Sequence, residues 1–263
     1  MKKITKRQLR IILKIIIIVF VIIGVIAQQF IGFLSGRGYS AFLYFTTQSN
    51  IILAITALIL LIYDIKGIKN PPALVSFHHI AISAILLTFI VFSLFLGPFI
   101  PSVSYFYSPG NLTLHNLVPI LGLVNYLLEE DKMPPKYVRS LALISGLTYL
   151  IATYILYFSG ANFGLYEFPY FFLNFKELGW LTLDFANMRF GIIYWWIIII
   201  IFLYGISALT YNIKQKSTSN PKLALNVFIF LFALAVLFTT LNVIIKLTVG
   251  VPINETTIKI FIA

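Results

Sequence analysis

Apolar residues fall along this chain in long unbroken runs, and nearly all of the charge lies between them. "IIIIVFVII" at residues 15–23 and "IILAITALILLIY" at residues 51–63 show no alternation of polar and apolar positions. A lipid-facing β-barrel strand alternates, whereas a membrane helix needs about 20 predominantly apolar residues to cross the hydrocarbon layer. On that ruler the pattern predicts spans at Ile12–Leu34, Ala41–Tyr63, Val75–Leu96, Asn111–Leu128, Tyr137–Tyr157, Phe190–Tyr211 and Leu223–Val249. The expected fold is an all-α, polytopic transmembrane helix bundle of about seven spans, forming a single integral membrane domain over residues 1–263. The fourth span is the shortest and carries Pro119.

Composition agrees with the pattern. Charged residues make up 10% of the 263 positions, where a soluble domain carries about 25%. The absence of cysteine excludes disulfides, thiol nucleophiles and cysteine metal sites. A net charge of +11 would suit nucleic acid, but its placement argues for a membrane orientation. Six basic residues (Lys2, Lys3, Lys6, Arg7, Arg10, Lys14) precede or open the first apolar run, as a cytoplasmic anchor does. With the N-terminus inside, Lys66, Lys69, Lys132, Lys136, Arg139, Lys214, Lys216 and Lys222 join them on the inner side. Only Arg37, Lys176, Arg189 and Lys259 fall outside, with Lys246 inside the last span. That bias sets the N-terminus in and the C-terminus out.

Two outer connections are long, Gly97–Gly110 and Phe158–Arg189. The second contains "YEFPYFFLNFKELGWLTLDF", which admits two readings: an aromatic belt at the headgroup level, or a cap over a binding cavity. No internal repeat is visible, which argues against an inverted-repeat transporter. The Ile- and Lys-rich composition points to a bacterial plasma membrane.

Ionisable residues inside a membrane are costly and mark function by default. Asp64 falls at the inner end of the second span, and Glu129, Glu130 and Asp131 fall in an inner loop, so the pattern places no carboxylate in mid-membrane. His78 and His79 read as an interfacial pair bonded to headgroups or loops. Adjacent residues project to different helix faces, so they do not suggest a metal site. His115 opens the fourth span four residues before Pro119, whose missing N–H and ring disturb the carbonyl of His115 itself. The backbone is therefore expected to open there.

The second span begins with "YFTTQSN". Thr46, Ser49 and Asn50 stand at i, i+3 and i+4 and share a helix face, while Thr47 and Gln48 point elsewhere. Thr46 and His115 each lie four or five residues below the outer boundary, about 6–8 Å deep at 1.5 Å per residue. Two hydroxyls and an amide level with an imidazole have the makings of a nucleophile, a base and orienting donors. They are equally the makings of interhelical glue.

"YFTTQSNIIL", "LHNLVPIL" and "YEFPYFFLN" resemble, in order and approximate spacing, three marks of the androgen-induced protein and androgen-dependent TFPI-regulating protein family. The resemblance covers roughly residues 44–174; a core at 12–211 would match the family's span count, with 223–249 as an additional helix. It implies an intramembrane threonine hydrolase that cleaves fatty acid esters of hydroxy fatty acids. Thr46 matches the family's threonine and His115 its histidine, while Pro169, Phe172 and Leu173 correspond loosely to its later outer-loop mark. The second threonine, Thr47, leaves a choice of nucleophile.

The leading expectation is thus a lipid-ester hydrolase without cofactor or metal. Thr46 would be the nucleophile and His115 the base, with Ser49, Asn50 or Asn116 as oxyanion donors. Arg189 and Lys176 are candidates to meet a fatty-acid carboxylate. The partners implied are membrane lipids or a lipid ester, and no nucleic acid. The alternative is a non-catalytic membrane protein, either a small-solute transporter or a lipid-binding or accessory protein.

Overall fold

A computed structural model describes residues 5–34, 38–97, 108–131, 133–164, 167–186, 189–220 and 222–248. Most of the first long outer connection, together with Lys2, Lys3, Arg37, Lys132 and Lys259, lies outside the described residues. Seven helices are long and apolar enough to cross a membrane. We number them α1 (Lys6–Leu34), α2 (Phe45–Lys66), α3 (Pro72–Leu96), α4 (Pro109–Leu128), α5 (Val138–Phe158), α6 (Ile192–Ser217) and α7 (Leu223–Thr248). The chain is an integral, multi-pass, all-α membrane protein.

Several helices have a legible start or stop. Pro71 and Pro72 open α3, where the missing N–H costs nothing. Gly67 ends α2 in the left-handed conformation (φ 66°) and returns its N–H to the carbonyls of Tyr63 and Asp64. Pro119 does disturb α4 as expected. Residues Leu112–Leu117 form a π-helical turn, closed by the Val118 N–H bonding five residues back to Thr113. A second π turn, Phe92–Leu96, ends α3 at the same outer level. The two meet where the Phe92 ring stacks on His115 at 3.8 Å.

Helix α4 is the least apolar span and the most enclosed, with 83% of its span buried against 11% for α5 and α7. Between helices in lipid there is little hydrophobic drive, so close packing and polar contacts decide which helix goes inside. Ile17, Leu53, Ile82, Ile85 and Val118 form a dry layer across the middle of α1–α4. Gly122 lets α4 approach: a Cβ there would lie 2.9 Å from Leu53 and 3.3 Å from Ile82.

The second outer connection is a folded cap. It contains a one-turn helix, Phe175–Leu178, whose first-turn N–H groups are capped by the Asn174 side chain. It also contains a short hairpin, Leu183–Asp184 paired with Arg189–Phe190. Phe163 and Phe168 are fully buried, and Tyr154 donates to the Leu173 carbonyl at 2.7 Å. Rings tucked into the protein in this way make a cap, not a belt of side chains at the headgroups.

The hairpin base is tight at Gly191. A Cβ there would fall 2.6 Å from the Trp180 carbonyl oxygen and 2.7 Å from the Thr182 nitrogen, both backbone atoms. Gly191→Ala is therefore expected to cost about 1–3 kcal/mol, the usual range for overpacking. A detergent melting curve checks this, and an unchanged midpoint would refute the close approach.

Candidate functional site

The first turn of α2 delivers the predicted polar face. Thr46 is half-buried and stands in the wall of a cavity of about 70 Å³ between α2, α3, α5, α6 and the cap. The wall is mainly apolar, with Thr88 from α3 and Tyr170 and Phe172 from the cap beside Thr46. Helices α5 and α6 each contribute a stripe at helical spacing, Leu143, Gly146, Leu147 and Leu150 facing Trp196, Ile199, Ile200 and Leu203. Leu147 is also partly exposed on the outer face of the bundle, so the cavity borders the lipid. Thr47 is buried and does not line the cavity, which separates the two threonines.

Ser49 and Asn50 are buried and tie helices together. Ser49 Oγ donates to the Thr46 carbonyl at 3.1 Å and lies 3.1 Å from Thr88 Oγ1. Asn50 Nδ2 donates to the Thr46 carbonyl at 2.8 Å and to the Leu114 carbonyl at 3.1 Å. One amide nitrogen thus bridges the backbone of the threonine and that of the residue before His115. Asn50 Oδ1 is left without a hydrogen-bond partner.

His115 is buried, with its ring flat against Phe92 and its Nδ1 unpartnered. It does not line the cavity that Thr46 lines. Asn116 is buried beside it in the π turn. Of the cap residues, Phe172 and Leu173 reach the cavity, while Pro169 is buried within the cap. Arg189 is exposed on the hairpin and does not line the cavity. Lys176 pairs with Glu167 at 3.0 Å on the outer surface.

A residue absent from the sequence expectation completes the outer site. Tyr170 is buried, and its hydroxyl accepts the Thr46 N–H at 3.4 Å. The Thr46 side chain and the Phe45 N–H interact with the same oxygen. Burial raises the phenol above its usual pKa, and these donors pull it back down. The signal was present in "FPYFFL", but nothing in spacing assigns one ring of a cap to one hydroxyl of a distant helix.

The inner end holds a second polar assembly, which corrects two expectations. Arg10 and Lys14 do not serve as a solvated anchor. They point into the bundle from successive turns of α1, and the Lys14 side chain is fully buried. Lys14 pairs with both Asp64 and Glu129. Arg10 pairs with the same two carboxylates, at 3.2 Å and 3.6 Å, and with Glu130 at 3.1 Å. Two cations and two carboxylates therefore alternate in a closed ring that joins α1, α2 and the end of α4. Arg7 adds three bonds to the carbonyls at the end of α2, two to Asp64 and one to Ile65.

His78 and His79 do not face headgroups either. Helix α3 is covered on several sides, so both rings are enclosed by protein. His79 lies 2.9 Å from the Tyr126 hydroxyl through Nδ1 and 2.9 Å from Ser207 Oγ through Nε2. His78 meets the Tyr126 ring edge-on at 5.0 Å. Lys214, counted above with the inner loops, is buried and donates to the carbonyls of Tyr126 and Glu129. It caps the C-terminus of α4, where a cation offsets the helix dipole.

Among the described residues, no cluster of histidine and carboxylate side chains fits a metal ion. No family model, curated protein or solved structure matches this chain.

Proposed function

We propose that the protein is an intramembrane hydrolase of lipid esters, with Thr46 as nucleophile and His115 as general base. The observation that carries this reading is a threonine hydroxyl set in the wall of an apolar cavity at the outer membrane level, under an aromatic cap. An acyl chain fits such walls, and its ester carbonyl would meet the one polar end, at Thr46, Thr88 and Tyr170. The Asn50 bridge supports the pairing, because it holds the backbone of Thr46 to the segment that carries His115. An unpartnered Nδ1 in a buried ring suits a neutral imidazole free to take a proton.

In this scheme Thr46 Oγ attacks the ester carbonyl and passes its proton to His115. The imidazolium then protonates the departing alkoxide, leaving an acyl-threonine that water hydrolyses with the same histidine as base. Esters of the fatty acid–hydroxy fatty acid type, which the resemblance implies, are the substrate class, and a bacterial plasma membrane is the proposed setting. The oxyanion role foreseen for Ser49 and Asn50 competes with the carbonyls they already serve.

One observation favours a second reading, a non-catalytic lipid-binding protein: His115 stands outside the cavity and is stacked on Phe92. Transport has less support. Leu53, Ile82, Ile85 and Val118 interrupt the polar residues between Thr46 and the inner ring among the described residues.

Labelling of the purified protein by a fluorophosphonate lipid probe tests the proposal. Thr46→Ala and His115→Ala are each expected to abolish it, and Thr47→Ala to leave it. Undiminished labelling of both of the first two variants would remove the hydrolase reading.

A further inference from the structure

The walls of the cavity beside Thr46 are not equally held. Ser49 and Thr88 tie α2 to α3, with their hydroxyl oxygens 3.1 Å apart. The cap is tied to α2 through the Thr46 N–H and to α5 through the Tyr154 hydroxyl. Helix α5 is also tied to the turn before α2, where Tyr149 donates to the Leu43 carbonyl at 3.0 Å. Helix α6 is tied to α3 through Ser207 and to α4 through Lys214. The seam between α5 and α6 has no such tie over the length of the cavity. The hydroxyls of Ser145 and Thr148 bond back to their own helix, and among the described residues no hydrogen bond joins the two stripes that face the cavity.

Ring contacts bracket the seam, Tyr154 with Trp196 at 5.5 Å on the cap side and Arg139 over Tyr211 at 5.5 Å on the other. Between them Gly146 contributes no side chain, and a Cβ there would lie 3.1 Å from Leu203 Cδ2. Leu147, 39% exposed, opens the same stretch to lipid. Size requires a wall to move. The cavity holds about 70 Å³, whereas an apolar void that takes up benzene measures about 150 Å³. Parting α2 from α3, or the cap from α2 or α5, breaks a hydrogen bond away from water. Parting two apolar stripes in lipid costs little, because a hydrocarbon chain replaces the contacts that are lost.

We propose that the seam between α5 and α6 is the portal of the site: it parts to admit one acyl chain of a lipid from the leaflet on the cap side, and Gly146 makes the room. The stripes run from Leu143 to Leu150 and from Trp196 to Leu203, about 10 Å at 1.5 Å per residue. A chain in the seam therefore lies along the helices, as chains in the bilayer do, with its polar end toward the cap and Thr46. This deepens the hydrolase reading and rests on it for the chemistry. It specifies the substrate as a lipid resident in the bilayer, not an ester taken up from water.

Photolabelling tests the portal independently of hydrolysis. The full-length protein is placed in nanodiscs of dioleoylphosphatidylcholine doped with a phosphatidylcholine that carries a mid-chain diazirine, irradiated, and its adducts mapped by mass spectrometry. Surrounding lipid reaches Ile144 and Ile151 on the exposed face of α5. Leu87 and Leu203 line the cavity and are buried, so only a chain inside the seam reaches them. Wild type and Thr46→Ala are expected to carry both sets of adducts. Gly146→Leu fills the seam and should lose the buried adducts while it keeps the exposed ones.

Adducts confined to the exposed face in wild type would overturn the portal, whether or not Thr46 acts as a nucleophile. Buried adducts that persist undiminished in Gly146→Leu would also overturn it, by placing the entry elsewhere. Buried adducts lost in Gly146→Leu, together with fluorophosphonate labelling that ignores Thr46, would keep the portal and remove the hydrolase reading.

Discussion

Replacing Lys14 with methionine is expected to destabilise the protein by about 3–5 kcal/mol, the cost of removing one partner from a buried ion pair. Methionine preserves most of the side-chain volume, so the loss reports charge and not packing. The effect is large because the Lys14 ammonium is wholly enclosed and neutralises two carboxylates at once, Asp64 and Glu129. Without it, Arg10 alone faces both acids in a low-dielectric setting. At this chain length the melting midpoint in detergent should fall by roughly 6–20 °C.

The ring also predicts its own repair. Asp64→Asn in the Lys14→Met background restores a neutral set, Arg10 against Glu129, and should recover part of the lost stability. The coupling energy should exceed about 1 kcal/mol, since contacting groups in one network do not add independently. A Lys14→Met midpoint within a degree or two of wild type would mean that the ring contributes nothing to the fold.

Gly24→Leu should have the second large effect, and it should reach the outer site. A Cβ at Gly24 would lie 2.4 Å from Thr113 Oγ1 and 2.5 Å from Leu114 Cδ2. Neither neighbour yields easily. The Thr113 hydroxyl is fixed on the Pro109 carbonyl, and Leu114 is buried. Helices α1 and α4 would have to part, at a cost of about 1–3 kcal/mol or more.

The same separation displaces Leu114, whose carbonyl holds Asn50, and with it the adjacent His115. Probe labelling should therefore drop in Gly24→Leu even in the fraction that remains folded and monodisperse. Full labelling with a normal elution profile would show that the α1–α4 contact does not position the site.

Much of the fold was legible because a bilayer leaves few options. Backbone groups in hydrocarbon must be satisfied within the segment, so each apolar run of sufficient length reads as a helix. Pro119 likewise announced the opening at His115, since a missing N–H acts locally. The helix boundaries were less legible. Helix α1 begins at Lys6, well before the apolar run, because "KRQLRI" has no helix breaker and its charges find partners in the bundle.

The inner ring left a trace in the sequence that a count of inner and outer charges passes over. Arg10 and Lys14 are one helical turn apart near the inner start of the first span, while Asp64 and Glu129 close the second and fourth spans at the same face. Opposite charges at one depth on separate helices were a readable cue to pairing. Which helices are neighbours was not readable, and without adjacency the basic residues look like a membrane anchor.

The sequence by itself determined the spans and the stripe of Thr46, Ser49 and Asn50, because these follow from the length of apolar runs and from local periodicity. Only the tertiary structure decided that Thr46 and not Thr47 faces the cavity, that Ser49 and Asn50 serve as ties, and that His115 lies against Phe92. It alone brought Tyr170, 124 positions away, to the Thr46 N–H. Such contacts depend on which helix faces pack together, and that choice belongs to the whole bundle, not to any one segment.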